Sequence, residues 1–199
     1  MKPIDYNVTN IGTYHLADNP DLYDVQRINN FEFIVTDIDN ILRAGVLGTE
    51  ENARIPNAQE ILRLSVATAF VPNFTIEPIV LKRGNNSVKY AGTPTFKDGS
   101  IKLNEFVGAD STSVLMAWQS LAYNVRTEKV GSLDVSNYKK LCYLQEFTPD
   151  YRLIRRWILK GCWCSGIDSV DFDNENTAKK TITATIQYDT AMIDWSELE

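Results

Sequence analysis

Four side chains in this sequence have the chemistry to hold a transition metal or act as nucleophile and base: Cys142, Cys162, Cys164 and the single histidine, His15. Their spacing argues against both roles. Cys162-Trp163-Cys164 has one residue between its thiols, where a zinc knuckle or a redox pair has two. His15 lies far away in a polar stretch, so three buried, reduced thiols are expected and no metal site. A lone histidine also leaves Ser-His-Asp and Cys-His catalysis without parts. Neither a Gly-x-Gly-x-x-Gly run nor a Gly-Lys-Ser/Thr phosphate cradle occurs.

The acidic run Asp168–Glu175 resembles a calcium loop only superficially. Counted from Asp171, the sixth place lacks glycine and the twelfth is Ile182, where the bidentate glutamate belongs. A solvated turn between strands is the better reading. Arg152, Arg155 and Arg156 surround Trp157, but in a chain of net charge −6 they are expected to neutralise acids within or between subunits. Asp37 and Asp39 fall in a loop and carry no specific signal. The chain therefore reads as a non-enzyme that needs no cofactor.

Composition narrows the class further. Hydrophobic and charged residues make up 44% and 23% of the 199 residues, the balance of a folded domain with an ordinary core. The acidic balance argues against a general nucleic-acid binder. No apolar run approaches membrane-spanning length and the first residues lack an apolar signal region, so a soluble chain made in a cytoplasm is expected. An odd number of cysteines fits a reducing compartment.

One stretch has a clear helical period. Over Ser111–Val125, residues Val114, Leu115, Trp118, Leu121, Ala122 and Val125 repeat on one face, and Asp110 or Ser111 can cap the start. The same stretch contains no Asp, Glu, Lys or Arg. Its outer face offers Met116, Gln119 and Tyr123, which suggests that this face is covered too and makes these residues candidate assembly contacts.

Around that helix the chain reads as strands. Phe31–Val35 opens the folded part, and residues 37–57 form a long excursion. Glu60–Ala69 is strand-like, ended by Pro72. Ile76–Arg83 and Ser87–Tyr90 flank Gly84-Asn85-Asn86, a hairpin turn whose residues tolerate positive φ. Ser100–Phe106 follows, with Ile101, Leu103 and Phe106 expected to face a core. After the helix come Leu141–Phe147, Arg152–Gly161, a short strand at Val170–Phe172, and Thr181–Tyr188, the clearest alternation.

The expected fold is mainly β: a barrel or sandwich of about eight or nine strands with one helix packed against it. The expected division is an arm over 1–29, a domain over 30–195 containing the 37–57 excursion, and a tail over 196–199. The arm carries Tyr6, Tyr14 and Tyr23, more apolar material than a plain tail, and is expected to order on a neighbour.

The order of these pieces resembles the tail tube protein family of contractile-tailed bacteriophages. Asn30-Phe31-Glu32-Phe33-Ile34-Val35 resembles its first strand, Leu64–Pro72 its second with a proline corner, and Val88–Phe96 its Val-x-Gly-x-x-x-Phe segment. Lys102–Glu105 corresponds to the strand before the helix, and Ala117–Ala122 lies in the helix itself. Tyr138–Lys140, Ile158–Trp163, Thr181–Tyr188 and Trp195 complete the set, so the resemblance runs over about residues 30–195. The arm, the 37–57 excursion and Cys162-Trp163-Cys164 depart from the pattern.

The resemblance implies an Hcp-like barrel whose hexameric rings stack into a tube inside a contractile sheath. Implied partners are further copies of the chain, the sheath protein, and baseplate and tail terminator proteins. DNA would pass through the lumen without specific binding. An acidic wall would repel phosphates over a Debye length of roughly 8–10 Å. The implied location is the virion tail, assembled in the host cytoplasm. An Hcp-like or baseplate tube-initiating component of a related injection system uses the same fold. A monomeric β-barrel that binds a small ligand is the reading of a different class.

Overall fold

Strict alternation over Thr181–Gln187 dictates a strand with one face buried, and Ile182, Ala184 and Ile186 are buried while the threonines between them are half-exposed. Around it the chain builds a seven-stranded antiparallel sheet curled into a nearly closed barrel. The computed structural model describes residues 26–44, 54–131, 135–168 and 177–195. The arm's Tyr6, Tyr14 and Tyr23, the strand expected at Val170–Phe172 and most of the acidic run lie outside the described residues.

In chain order the elements are β1 (Phe31–Val35), β2 (Ile41–Leu42), β3 (Arg54–Ile55), α1 (Ala58–Ser65), β4 (Val66–Thr68), β5 (Phe74–Arg83) and β6 (Asn86–Phe96). Then come β7 (Gly99–Asn104), α2 (Ser111–Ala122), β8 (Tyr123–Asn124), β9 (Lys129–Val130), β10 (Lys140–Phe147), β11 (Leu153–Asp168), β12 (Thr181–Gln187) and β13 (Thr190–Asp194). The large sheet runs β1-β10-β11-β12-β7-β4, and β13 pairs with the first half of β11. Its sixteen-residue strand β11 therefore serves three neighbours, β10 along Leu153–Cys162, β13 along Arg156–Lys160 and β12 along Trp163–Asp168.

Two expectations need correction here. Residues expected as a strand over 60–69 are instead helix α1 followed by the short β4, so the domain has a second helix. Ala58, Leu62 and Ser65 recur at helical spacing and are the buried positions, while branched residues on either side disguise the period. Phe106, expected in the core, is 47% exposed because the chain turns out of β7 after Asn104 to reach the helix. Ile101 and Leu103 are buried as expected.

Helix α2 fills the core. Val114, Leu115, Ala117 and Trp118 are fully buried, and the Trp118 indole N–H donates to the Tyr138 carbonyl at 3.0 Å. Asp110 is the N-cap, accepting from the Ser113 N–H at 2.8 Å. The helix ends at Ala122 rather than Val125: Tyr123 turns extended into β8, and Val125 is exposed.

Candidate functional site: assembly surfaces

The described residues contain no cluster of three or more His, Cys, Asp or Glu side chains able to hold a metal. Cys142, Cys162 and Cys164 are free and buried, as the spacing suggested. Cys162 and Cys164 point to the same side of β11, where each thiol donates to a backbone carbonyl, that of Leu159 at 3.5 Å and of Gly166 at 3.6 Å. Burial raises the Cys142 pKa well above the ordinary value and pushes that of Cys164 up to about 12. These thiols are core groups. Two of the three arginines behave as expected: Arg155 meets Glu146 at 3.8 Å and Arg156 meets Asp194 at 3.9 Å.

What the fold leaves open is surface that wants a partner. The β5–β6 ribbon pairs only with itself, and every residue of β5 is exposed. Its register sets Ile79 opposite Tyr90 and Leu81 opposite Val88, so these four share one face. The other face carries Val80 opposite Lys89 and Lys82 opposite Ser87. Gly84 closes the turn at φ 61°, a conformation that favours glycine. An isolated two-stranded ribbon is marginally stable in water, and its open edges invite another chain.

The ribbon is anchored at its root. Phe74 and Phe96 face each other at 5.4 Å between centroids, Phe96 meets Tyr188 edge-on at 5.9 Å, and Tyr188 stacks on Phe70 at 5.7 Å. Gly99 is required beneath this stack, since a side chain there would collide with the Phe70 ring.

Two further open surfaces flank the barrel. Where β1 and β4 approach without pairing, a groove of about 750 Å³ is lined by Ile28, Phe31, Val66, Val71, Leu144 and Arg155. On α2, Met116 is 48% exposed, and Tyr123 just beyond it is 45% exposed. Gln119 stands apart from these two: it is half-buried, and its amide donates to the Ser165 carbonyl at 3.3 Å, tying the helix to β11. The ribbon was legible in the sequence as a hairpin but not as an open surface. The signal was an apolar alternation, Ile79, Leu81, Val88 and Tyr90, around a tight turn with nothing else to bury it.

No family model matches the chain. Over 125 residues it is 26% identical to the tail tube protein gp19 of Enterobacteria phage T4, a match spanning 62% of this chain and 76% of that protein. The gp19 protein of phage T6 matches over the same span at 25% identity. The chain is a tail tube homologue.

Solved structures agree on the fold. A chain in the sheath–tube complex of PVC, an extracellular contractile injection system in its extended state, superposes with a TM-score of 0.58 at 13% identity, covering 94% of this chain and 98% of that one. A chain of the anti-feeding prophage baseplate gives 0.54 at 9% identity over 84% and 93%. The tail tube homologue thus shares its barrel, at low sequence identity, with chains of contractile injection machines.

Proposed function

We propose that this chain is the subunit of the inner tube of a contractile tail. Copies form hexameric rings, rings stack into a hollow tube, and DNA passes down the lumen when the surrounding sheath contracts. The observation that carries this reading is the similarity to gp19 over 125 residues. The physical state of the β5–β6 ribbon supports it: an apolar ribbon with two open edges is unfavourable in a lone protomer and is relieved when neighbouring copies cover it.

In this reading Met116, Tyr123 and the ribbon meet other subunits or the sheath, whereas Gln119 positions α2 from within. The arm over 1–29, with Tyr6, Tyr14 and Tyr23, and the 37–57 excursion are assigned to contacts between rings or with the sheath. Baseplate and terminator proteins bind the two ends of the tube. The subunit works by shape and surface alone, without catalysis, and is assembled in the host cytoplasm before residing in the virion.

Negative-stain microscopy of the purified protein tests the proposal. Rings or tubes with a central hole support it. A chain that stays monomeric, even in the presence of baseplate extract, overturns it.

A further inference from the structure

The large sheet ends in two strands that have a partner on one side only. Among the described strands, β1 pairs with β10 alone and β4 with β7 alone, which leaves one backbone edge of each unpaired. The groove of about 750 Å³ lies between them and opens onto the inner face of the barrel, where Leu144 is buried. Phe31 forms one wall, Val66 and Ala69 the other, and all three pack against the edge of the core. An apolar slot between two strand edges is unfavourable when only water fills it, because burial is lost and the unpaired edges attract any extended segment.

The described chain begins on the rim of this groove. The Gln26 side-chain amide donates to Glu146 at 2.8 Å, and the Asn30 N–H donates to the Arg27 carbonyl at 3.4 Å, which closes a tight turn just before β1. Such a turn reverses the chain, so Gln26 is reached from alongside β1, and β10 already holds the other edge of that strand. The five residues before Gln26 are Asp21-Leu22-Tyr23-Asp24-Val25. Leu22, Tyr23 and Val25 suit the apolar walls, and the two aspartates suit Arg27 and Arg155, which line the groove. Glu146, the acid among the described lining residues, is already engaged by Gln26, by the Trp157 indole N–H at 3.1 Å and by Arg155 at 3.8 Å.

We infer that Asp21–Val25 of the same chain seat in this groove and cover the seam between β1 and β4. The tether selects this occupant over a second copy. A segment joined directly to the rim meets the groove at an effective concentration on the order of millimolar, which a free protomer in dilute solution does not reach. Tyr23 then belongs to the protomer's own core, whereas Tyr6 and Tyr14 stay available to neighbouring copies. The covered seam is a property of the single protomer and does not depend on the tube reading.

Thiol labelling of the full-length chain, at a concentration where sedimentation shows monomers, tests the assignment. Thr68 lines the groove, and Cys142, Cys162 and Cys164 are buried, so Thr68→Cys adds one thiol that reports on what covers the seam. In that background a small maleimide should react at least about tenfold more slowly than after Leu22→Ser, Tyr23→Ser and Val25→Ser are added, because a seated segment exposes the thiol only through local opening. Equal rates in the two proteins, both fast or both slow, would show that the segment is not the cover. Protection that appears only when subunits assemble would give the groove to a second copy. Each of these results overturns the inference. Val71→Cys, also on the groove, gives the same readout if the Thr68 variant fails to fold, and Tyr23→Ser alone replaces the triple substitution if that one fails. Failure of the chain to form tubes would remove the tube reading and leave this measurement on monomers unchanged.

Discussion

The Tyr188 hydroxyl is bonded twice to Asn73, donating to its carbonyl at 3.1 Å and accepting from its N–H at 3.2 Å. This joins the end of β12 to the corner from which the β5–β6 ribbon departs, and burial raises the Tyr188 pKa above its ordinary value against the lowering pull of the Asn73 bond. Tyr188→Phe keeps the Phe70 and Phe96 ring contacts and removes only the two hydrogen bonds. Asn73 is exposed, so water can replace the lost partners and the cost to protomer stability should be about 1 kcal/mol, read from urea unfolding. Hydrogen exchange of the ribbon should rise more than that of β12. Equal exchange in both would mean that the phenol does not orient the ribbon.

The two faces of α2 should respond to substitution in opposite ways. Trp118 is fully buried and bonded to Tyr138, so Trp118→Ala leaves a large cavity and should cost on the order of 3–5 kcal/mol in protomer stability. Met116 is half-exposed and outside the core, so Met116→Lys should change stability by no more than about 0.5 kcal/mol. It should nevertheless lower tube yield, counted by microscopy, because a charge is placed in a surface proposed to be covered. Tubes of normal yield and length from Met116→Lys would show that this face meets water.

The barrel class, the hairpin at Gly84, the helix and its Asp110 cap, and the buried faces of β7 and β12 were legible because each follows from a local period or turn chemistry. Helix α1 was not. Ile61, Leu62, Leu64 and Val66 crowd apolar residues onto adjacent positions, and periodicity cannot separate a short buried helix from a strand in such a run. Phe106 was misplaced because its aromatic character continued a strand pattern that the chain leaves at Asn104. Gln119 was read as outward-facing, since the Ser165 carbonyl that receives it belongs to a strand 46 residues away in sequence. The surface proposed for assembly was the least legible part. An apolar alternation looks the same whether a core or another subunit covers it, and only the fold shows that β5 and β6 have no core to face.

Asp110 gives a pH dependence whose sign is fixed. Burial works to raise its pKa, but hydrogen bonds from the Ser113 hydroxyl and backbone N–H outweigh it and hold the value below the ordinary 3.8. A carboxyl depressed in the folded state adds stability that is fully present above the unfolded pKa and is lost as pH falls through the folded one. Asp110→Asn keeps a cap acceptor while removing the charge. Wild type should therefore exceed the variant in stability at neutral pH, and the gap should close as the pH falls below about 4. A gap that stays constant down to pH 2 would assign the cap's contribution to geometry rather than charge.

The ribbon provides the sharpest separation of folding from assembly. Leu81 and Tyr90 are 49% and 46% exposed, and β5 and β6 pair with no strand of the barrel. Replacing both with aspartate removes little buried area from the protomer, so its unfolding midpoint should move by no more than the shift expected from two surface substitutions, about 1 kcal/mol in total. If a second copy covers this face, two carboxylates there must be desolvated without a partner, and the penalty recurs at each subunit contact along the tube. The double variant should be a folded species that forms no tubes and does not extend wild-type tubes, measured by sedimentation and microscopy. Reversion of either residue alone should restore part of the assembly. Tubes formed normally by the double variant would show that the apolar face of the ribbon remains in water and that the subunits are held together elsewhere.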